Sequence, residues 1–343
     1  MVSDPRSLTV LGIESSCDET AAAVVRDGRE VLSSVIVSQV EAHAVYGGVV
    51  PEIAGRSHLE AIGPTVERAL AEAGLTEDEL SGLAVTTRPG LVGSLLVGAS
   101  YAKGLAYSRG LPLVGVHHIE AHVYAAAMDL DEPPWPCLAL VVSGGHTALY
   151  RADSPLSLTL LAATLDDAAG EAFDKVAWML GTSYPGGPSI SRLAAAGDPS
   201  AIRFPRHRPK QGGVGFSFSG LKTAVLYHLR GGDALAPTPA PEDIPARADV
   251  AASFEQAVVD SLVDNTLRAA EAEGLERILV AGGVAANARL RLELCQRAAE
   301  SNQRAFFPPP EHCTDNAVMI AGLGHHLLAA DRLAGLELDV RPN

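Results

Sequence analysis

Hydrophobic and polar positions along the chain follow one short plan that occurs twice. Residues 8 to 37 read as three β-strands, in the stretches LTVLGIESS, TAAAVVRDG and EVLSSVIVS, with Asp27-Gly28 as a hairpin turn between the second and third. Residues 138 to 163 repeat the plan: LALVVSGG runs through a glycine turn into HTALYRAD and then LSLTLLAAT. Each copy continues as a β/α alternation, GLAVTTRPG with GSLLVGASYAKGLAYSRG in the first and RILVAGGVAANARLRLELCQRAAE in the second. A duplicated βββαβα plan predicts an α/β protein of two similar lobes facing a cleft.

Helical periodicity fills the second half before its last strands. DDAAGEAFDKVAWMLG carries apolar residues at helical spacing, and VAASFEQAVVDSLVDNTLRAAEAEG predicts a long amphipathic helix ending at Gly274. GGDALAPTPAPEDIPARADV lies between them and reads as a surface loop. A final helix is expected from about Asp315 to Ala334. The predicted organisation is a first lobe over 1–130, a second over 131–313 with a helical insertion around 166–250, and a C-terminal stretch 314–343 returning to the first lobe.

Composition narrows the class. The chain has 343 residues, 47% of them hydrophobic, enough for two real cores. Its formal net charge of −15 argues against a nonspecific nucleic-acid binder, which needs broad positive potential. A local patch is still possible in RFPRHRPK, where Arg203, Arg206, Arg208 and Lys210 gather in a proline-broken loop. No apolar run approaches a membrane span, and MVSDPRS is too short and polar for a signal peptide, so a cytoplasmic protein is expected. Cys17, Cys137, Cys295 and Cys313 lack CxxC spacing and read as incidental thiols.

Three turns have the chemistry of anion and nucleotide recognition. GIESSCDET and VVSGGHT lead a strand into a polar or glycine turn that exposes backbone N–H groups. VAGGVAANARL lies between a buried strand and a helix start, where Gly282 and Gly283 permit close approach of a ring or ribose and Asn287 offers an amide. A P-loop motif is absent, and RPGLVGSLLVG lacks the spacing of a dinucleotide fingerprint; close packing of a helix on a strand is the better reading there.

The stretch VGVHHIEAHVYAA points to a metal. His118 and His122 are four apart, on one helix face and close enough to share an ion. Glu120 is two residues after His118, not one, so the HExxH arrangement of a zinc peptidase is missing. Asp315, at the N-terminal boundary of the last helix, is the best third ligand; an ordinary helix cap is its alternative reading, and His312 a weaker ligand candidate. Two histidines and a carboxylate leave positions open for substrate, and Fe2+ and Zn2+ both suit them.

These residues accumulate into a recognisable set. GIESSCDET, HAVYGGVVPEIAGRSHLE, HHIEAH, LVVSGGHTAL, DDAAGEAFDKVAWMLG, YPGGP, FSFSGLKTA, VAGGVAANARLR and CTDNAVMIA together resemble the tRNA N6-adenosine threonylcarbamoyltransferase family (TsaD type), formerly described as sialoglycoprotein endopeptidases. The resemblance implies ribonuclease H-like lobes of the actin, hexokinase and heat-shock-ATPase (ASKHA) type. It implies metal ligands His118, His122 and Asp315; Val141, Val142, Ser143, Gly144 and Gly145 at the carbamoyl and phosphate end of a threonylcarbamoyl-AMP substrate; and Asp174, Gly187 and Asn287 at its adenosine end. Asp18 and Glu19 match acidic residues of the cleft floor and, with the substrate phosphate, are candidate proton acceptors; Ser143 opens the turn that would donate to developing charge. The expected partners are tRNA, an inactive paralogous subunit, for which the helix around EIAGRSHLEAIGPTVERALAEAG is one candidate surface, and a small ATPase. Two departures from the family pattern are Arg88 in TTRPGLVG, where glycine is usual, and a tail cut to Asn343 after VRP. A kinase-like ATPase of the same fold would explain the turns but not the histidines. A metallopeptidase would explain the histidines but not the turns, and a nucleotide-binding scaffold would use both without turnover.

Overall fold

The computed structural model describes residues 7–209, 213–233 and 236–342. Two compact units emerge. One holds the residues up to Pro133, Ser154–Ser157 and the stretch from Thr314 onward; the other holds Pro134–Asp153 and Leu158–Cys313.

The first unit begins with β1 (Thr9–Glu14), β2 (Glu19–Arg26) and β3 (Glu30–Ser38), then α1 (Val40–Ala44) and α2 (Pro51–Ala73), β4 (Gly82–Arg88), α3 (Val92–Arg109), β5 (Leu113–His117) and α4 (His118–Met128). Its sheet has the order β3-β2-β1-β4-β5, with β1 antiparallel to β2 and parallel to β4. Asp27 and Gly28 both take positive φ in the β2–β3 turn, which is why an Asp-Gly pair is tolerated there. All six β1 residues are buried because helices cover both sheet faces. Alternate residues serve opposite faces: Val10, Ala21, Ala23 and Ala84 pack toward Tyr124 and Met128 of α4, whereas Leu11, Ile13, Ala22 and Leu83 pack toward Ile62 and Val66 of α2 and Ala102 of α3. The RPGLVGSLLVG segment is a packing device, since a Cβ on Gly98 of α3 would collide with the Ser15 side chain beyond β1. In α2, Ala54, His58, Ile62, Val66 and Leu70 face inward and Leu59 is exposed.

The second unit runs β6 (Cys137–Val142), β7 (Thr147–Ser154), β8 (Ser157–Ala163), α5 (Ala169–Met179), α6 (Gly186–Ala194), α7 (Ser219–Leu229), α8 (Arg247–Glu273), β9 (Arg277–Ala281), α9 (Ala288–Glu300) and β10 (Arg304–Phe306). Its sheet order, β10-β9-β6-β7-β8, is that of the first unit with each strand replaced by its counterpart, and β6 is likewise antiparallel to one neighbour and parallel to the other. The duplication read from the sequence is therefore a duplication of topology. The long α8 stops at Gly274, whose φ of 65° suits the left-handed helix terminus. Its inward column includes Phe254, edge-on to Phe173 of α5 with ring centroids 5.3 Å apart. The proline-rich segment is shorter than the surface loop expected: Arg247–Val250 already form the first turn of α8, and Ala234 and Leu235 lie outside the described residues.

The last helix, α10 (Ala317–Ala329), belongs to the first unit and packs Val318, Met319, Ile320 and Leu323 into the core shared with α4. It ends sooner than the expected Ala334. Asp331 takes a φ of 54°, the Arg332 N–H turns back to the Leu327 carbonyl, and Ala334 then donates to the Leu113 carbonyl beside β5.

Candidate active site

The histidine stretch folds as a strand running straight into a helix. β5 ends at His117, whose side chain accepts from the Ile119 N–H and so caps α4. His118 opens α4, and His122, one turn on, lies on the same face. Their rings meet edge to face at 4.6 Å between centroids. Asp315 arrives from just before α10. It is not the cap of that helix: Asn316 is, its side chain accepting from the Met319 N–H at 3.0 Å. Asp315 Oδ1 lies 3.1 Å from His122 Nε2 and 3.4 Å from His118 Nε2. One atom from each of the three residues falls within 4.8 Å of the others. His312 is not part of this group, nor is Glu120, whose carboxyl is raised by burial and lies in the fields of Arg88 and Arg332.

The donor set fits a divalent cation. His118 Nδ1 sits 2.9 Å from Glu14 Oε2, so a proton held there would leave Nε2, which faces Asp315, as the ligand atom once a cation displaces its own proton. Glu14 is wholly buried at the end of β1 and also accepts from Thr86 Oγ1 at 2.7 Å and from the Ser16 N–H. Burial pushes its carboxyl up, but His118 wins and holds it below the ordinary range. Burial opposes charge on Asp315 as well, and the two imidazoles outweigh it and pull it down. His118 is raised well above the usual histidine range because Asp315 and Glu14 overcome the cost of burial. Burial lowers His122, whose Nδ1 is buried without a hydrogen-bond partner. Glu19 is driven up to about 9 by burial and by the nearby Asp315 and Asp18 carboxylates. Acid groups so crowded repel one another, and a bound dication relieves that repulsion. Two imidazole nitrogens and one carboxylate oxygen leave coordination positions free for a ligand.

The glycine turn of VVSGGHT lies in the second unit, where β6 leaves its sheet. Val141 and Val142 are fully buried and pair with Ala148 and Thr147 of β7, so the exposed part of this run is the turn that follows them. Gly144 and Gly145 are exposed, and Ser143 closes the turn twice, donating its N–H to the His146 carbonyl at 2.7 Å and accepting the His146 N–H on Oγ at 3.1 Å. Gly282 lies against this turn. Its φ is 92°, and an added Cβ would be 2.5 Å from the Val142 carbonyl oxygen. The space beside Gly283 and Gly187 is open. Asp174 Oδ1 accepts the Gly186 N–H at 2.7 Å and so fixes the YPGGP turn at the start of α6. Asn287 caps α9 by accepting from the Leu290 N–H at 2.9 Å.

The basic loop is less free than its sequence suggests. Arg206 donates twice to Asp260 of α8, at 2.9 and 2.8 Å, whereas Arg203 and Arg208 are exposed; Lys210 lies outside the described residues. Arg88 is exposed at the end of β4, and Asn343 also lies outside the described residues. The four cysteines are free thiols, with Cys137 and Cys313 buried and Cys295 exposed. Among the described residues no helix is long and apolar enough to cross a membrane.

A pair of mixed five-stranded sheets with one strand order, helices on their faces and glycine turns at strand ends defines an ASKHA-type protein. The fold neighbours agree: HypF from T. kodakarensis superposes with a TM-score of 0.63 at 15% identity over 94% of this chain and 48% of that one, and the ROK hexokinase of Thermus thermophilus with 0.51 at 16% over 94% and 100%. Residues 30–322 match the family described as TsaD, tRNA N6-adenosine threonylcarbamoyltransferase. A protein of that name from Geobacter sulfurreducens is 55% identical over 336 residues, 98% of this chain and 96% of its own, and one from Syntrophotalea carbinolica is 52% identical with the same coverage. The chain belongs to the tRNA N6-adenosine threonylcarbamoyltransferase family.

Two buried carboxylates bonded to candidate site residues, Glu14 to His118 and Glu255 to Asn287, were not singled out from the sequence. Glu14 had a signal, an ionisable residue closing the apolar run TVLGI of a buried strand. Glu255 had none that separates it from the other acidic residues along α8.

Proposed function

We propose that the chain transfers the threonylcarbamoyl group of threonylcarbamoyl-AMP to N6 of the adenosine 3′ to the anticodon, in tRNAs that read codons starting with adenine. The observation that carries this reading beyond the family match is the His118–His122–Asp315 convergence, with Glu14 fixing one imidazole in the ligand tautomer. A kinase-like ATPase has no use for that arrangement, and a peptidase would need its general base next to it.

Adenine N6 is a weak nucleophile because its lone pair is delocalised into the ring. The carbonyl must therefore arrive activated, as the mixed carbamoyl phosphate anhydride, and be held within ~3–3.5 Å of N6. A carbon–nitrogen bond forms, the bond from that carbon to the phosphate oxygen breaks, AMP departs, and N6 gives up one proton. Fe2+ or Zn2+ bound by the triad would supply Lewis-acid polarisation of the anhydride oxygens. The exposed Gly144 and Gly145 of the turn that Ser143 closes would donate backbone N–H groups to charge developing on the acyl phosphate. Asp174, Gly187 and Asn287 would receive the adenosine, where the backbone beside Gly187 and Gly283 leaves room for it. Asp18 and Glu19 are the acidic side chains proposed to assist proton removal, with the substrate phosphate. Glu19, pushed up to about 9, becomes a base only when a cation offsets its acidic neighbours.

On this reading the protein works in the cytoplasm with an inactive paralogue and a small ATPase. Given a net charge of −15, positive surface for tRNA must come from exposed arginines such as Arg203 and Arg208, or from those partners. The test is incubation of the purified chain with threonylcarbamoyl-AMP and tRNA, with and without partners, followed by nucleoside analysis. Threonylcarbamoyl-adenosine in the tRNA supports the reading; nucleotide hydrolysis with unmodified tRNA in every combination rejects it.

A further inference from the structure

Glu255 sits on the buried side of α8 and is 4% exposed. Its neighbours on that side, Ala251, Ala252, Phe254 and Val258, are core residues. A carboxylate there is costly unless it is fully served, and burial of ion pairs is seldom a net gain in stability over apolar packing. Glu255 is served by three donors. Ser191 Oγ donates to Oε1 at 2.6 Å, Asn287 Nδ2 donates to the same oxygen at 2.8 Å, and Arg289 Nε donates to Oε2 at 3.2 Å. Arg289 is itself anchored by donating to Gln256 Oε1 at 2.7 Å.

The consequence falls on Asn287. Its Oδ1 accepts the Leu290 N–H, and its Nδ2 donates to Glu255 and to Ser191 Oγ, the latter at 3.1 Å. Flipping the amide would set an NH2 against the Leu290 N–H and a carbonyl against a carboxylate, two repulsions in place of two bonds. The amide therefore has one orientation. Ser191 Oγ and Glu255 Oε1 are themselves in contact and lie on one side of Nδ2, so they share one of its hydrogens; the fixed amide keeps the second lone pair of Oδ1 and its other N–H for a ligand. Ser191, donating to Glu255 and accepting from Asn287, is tied into the same contact. Glu255 thereby fixes which groups this corner of the second unit presents.

We propose that Glu255 is a positioning residue for nucleoside recognition: it holds the Asn287 amide in one orientation, with its remaining acceptor and donor positions set for the ribose or ring of a bound adenosine. This rests on the reading that Asn287 contacts the adenosine. Glu255 acts through Asn287 and does not itself touch the ligand.

The experiment uses the full chain and AMP as probe, with affinity measured by calorimetry for wild type, Glu255→Gln, Asn287→Ala and the double variant. Gln presents an NH2 where a carboxylate oxygen received donors, so Glu255→Gln is expected to weaken AMP about tenfold. In the Asn287→Ala background the same change is expected to cost less than about twofold further, because the amide it orients is gone. Additive losses would overturn the proposal, as would unchanged affinity in Glu255→Gln while Asn287→Ala is weakened. Unchanged affinity in Asn287→Ala would instead overturn the underlying assignment of Asn287. Should Glu255→Gln fail to fold, Glu255→Asp keeps the charge and withdraws it from Asn287; it is expected to show the same loss and the same non-additivity, and normal AMP affinity in it would equally sink the idea.

Discussion

Glu14 Oε2 and His118 Nδ1 stand 2.9 Å apart, a buried carboxylate and a buried imidazole joined across 104 residues of sequence. The pair turns a histidine at a helix start into an oriented ligand, because the proton held toward Glu14 leaves Nε2 free. Glu14→Gln keeps the shape and removes the charge. Metal affinity should fall about 10- to 100-fold, read by competition with a chromogenic chelator. Wild-type affinity in that variant would mean that the tautomer is set by something else.

His122→Ala removes a ligand that is 1% exposed and leaves the fold around a small gap. Bound metal should drop below stoichiometric amounts and tRNA modification should be lost with it. AMP affinity should stay within about twofold of wild type, since the groups assigned to adenosine belong to the other unit. Elemental analysis and calorimetry on the same sample check both halves.

Gly282 and Gly283 are adjacent and should respond oppositely. Ala at 282 would force an L side chain into a φ of 92° with its Cβ 2.5 Å from a carbonyl oxygen, so Gly282→Ala should cost about 2 kcal/mol or more in a denaturant titration. Nothing stands within 4 Å of a Cβ on Gly283. Gly283→Ala should leave stability within about 0.5 kcal/mol and weaken AMP instead.

Asp166 gives a dependence on acid. Partial burial raises its carboxyl, but the Ser217 and Ser219 hydroxyls and the Phe218 and Ser219 N–H groups outweigh that and hold it at about 2. A carboxyl depressed in the folded state stabilises it fully above the unfolded value of about 3.9 and loses that contribution as pH falls toward 2. Asp166→Asn should therefore lower stability at neutral pH by about 1 kcal/mol, the scale of a capping interaction at an exposed helix start. The gap to wild type should close between pH 4 and 2, measured by urea midpoints across that range.

Much of this was readable in advance for definite reasons. Strand pairing around β1 and β6 followed from apolar runs punctuated by glycine, and Asp27-Gly28 marked its turn because few other pairs accept positive φ twice. His118 and His122 declared a shared face by spacing alone. Asp315 could be guessed only as a helix-boundary residue; that Asn316 takes the capping role, freeing Asp315, depends on a backbone detail one residue wide. The burial of Val141 and Val142 was not legible either, because a motif records a run of residues without saying which side chains face outward. Glu14 and Glu255 were hidden because a carboxylate serving buried donors looks, in one dimension, like any other acid.

Asp315 and His122 are 193 positions apart in the chain yet meet at 3.1 Å within one unit. A ribosome delivers the imidazoles long before the carboxylate, so the cluster is incomplete in a nascent polypeptide while the intervening unit is still being made. If these three side chains hold the ion as proposed, metal loading waits until translation has passed Asp315, and a product halted short of that residue would lack one of the three groups.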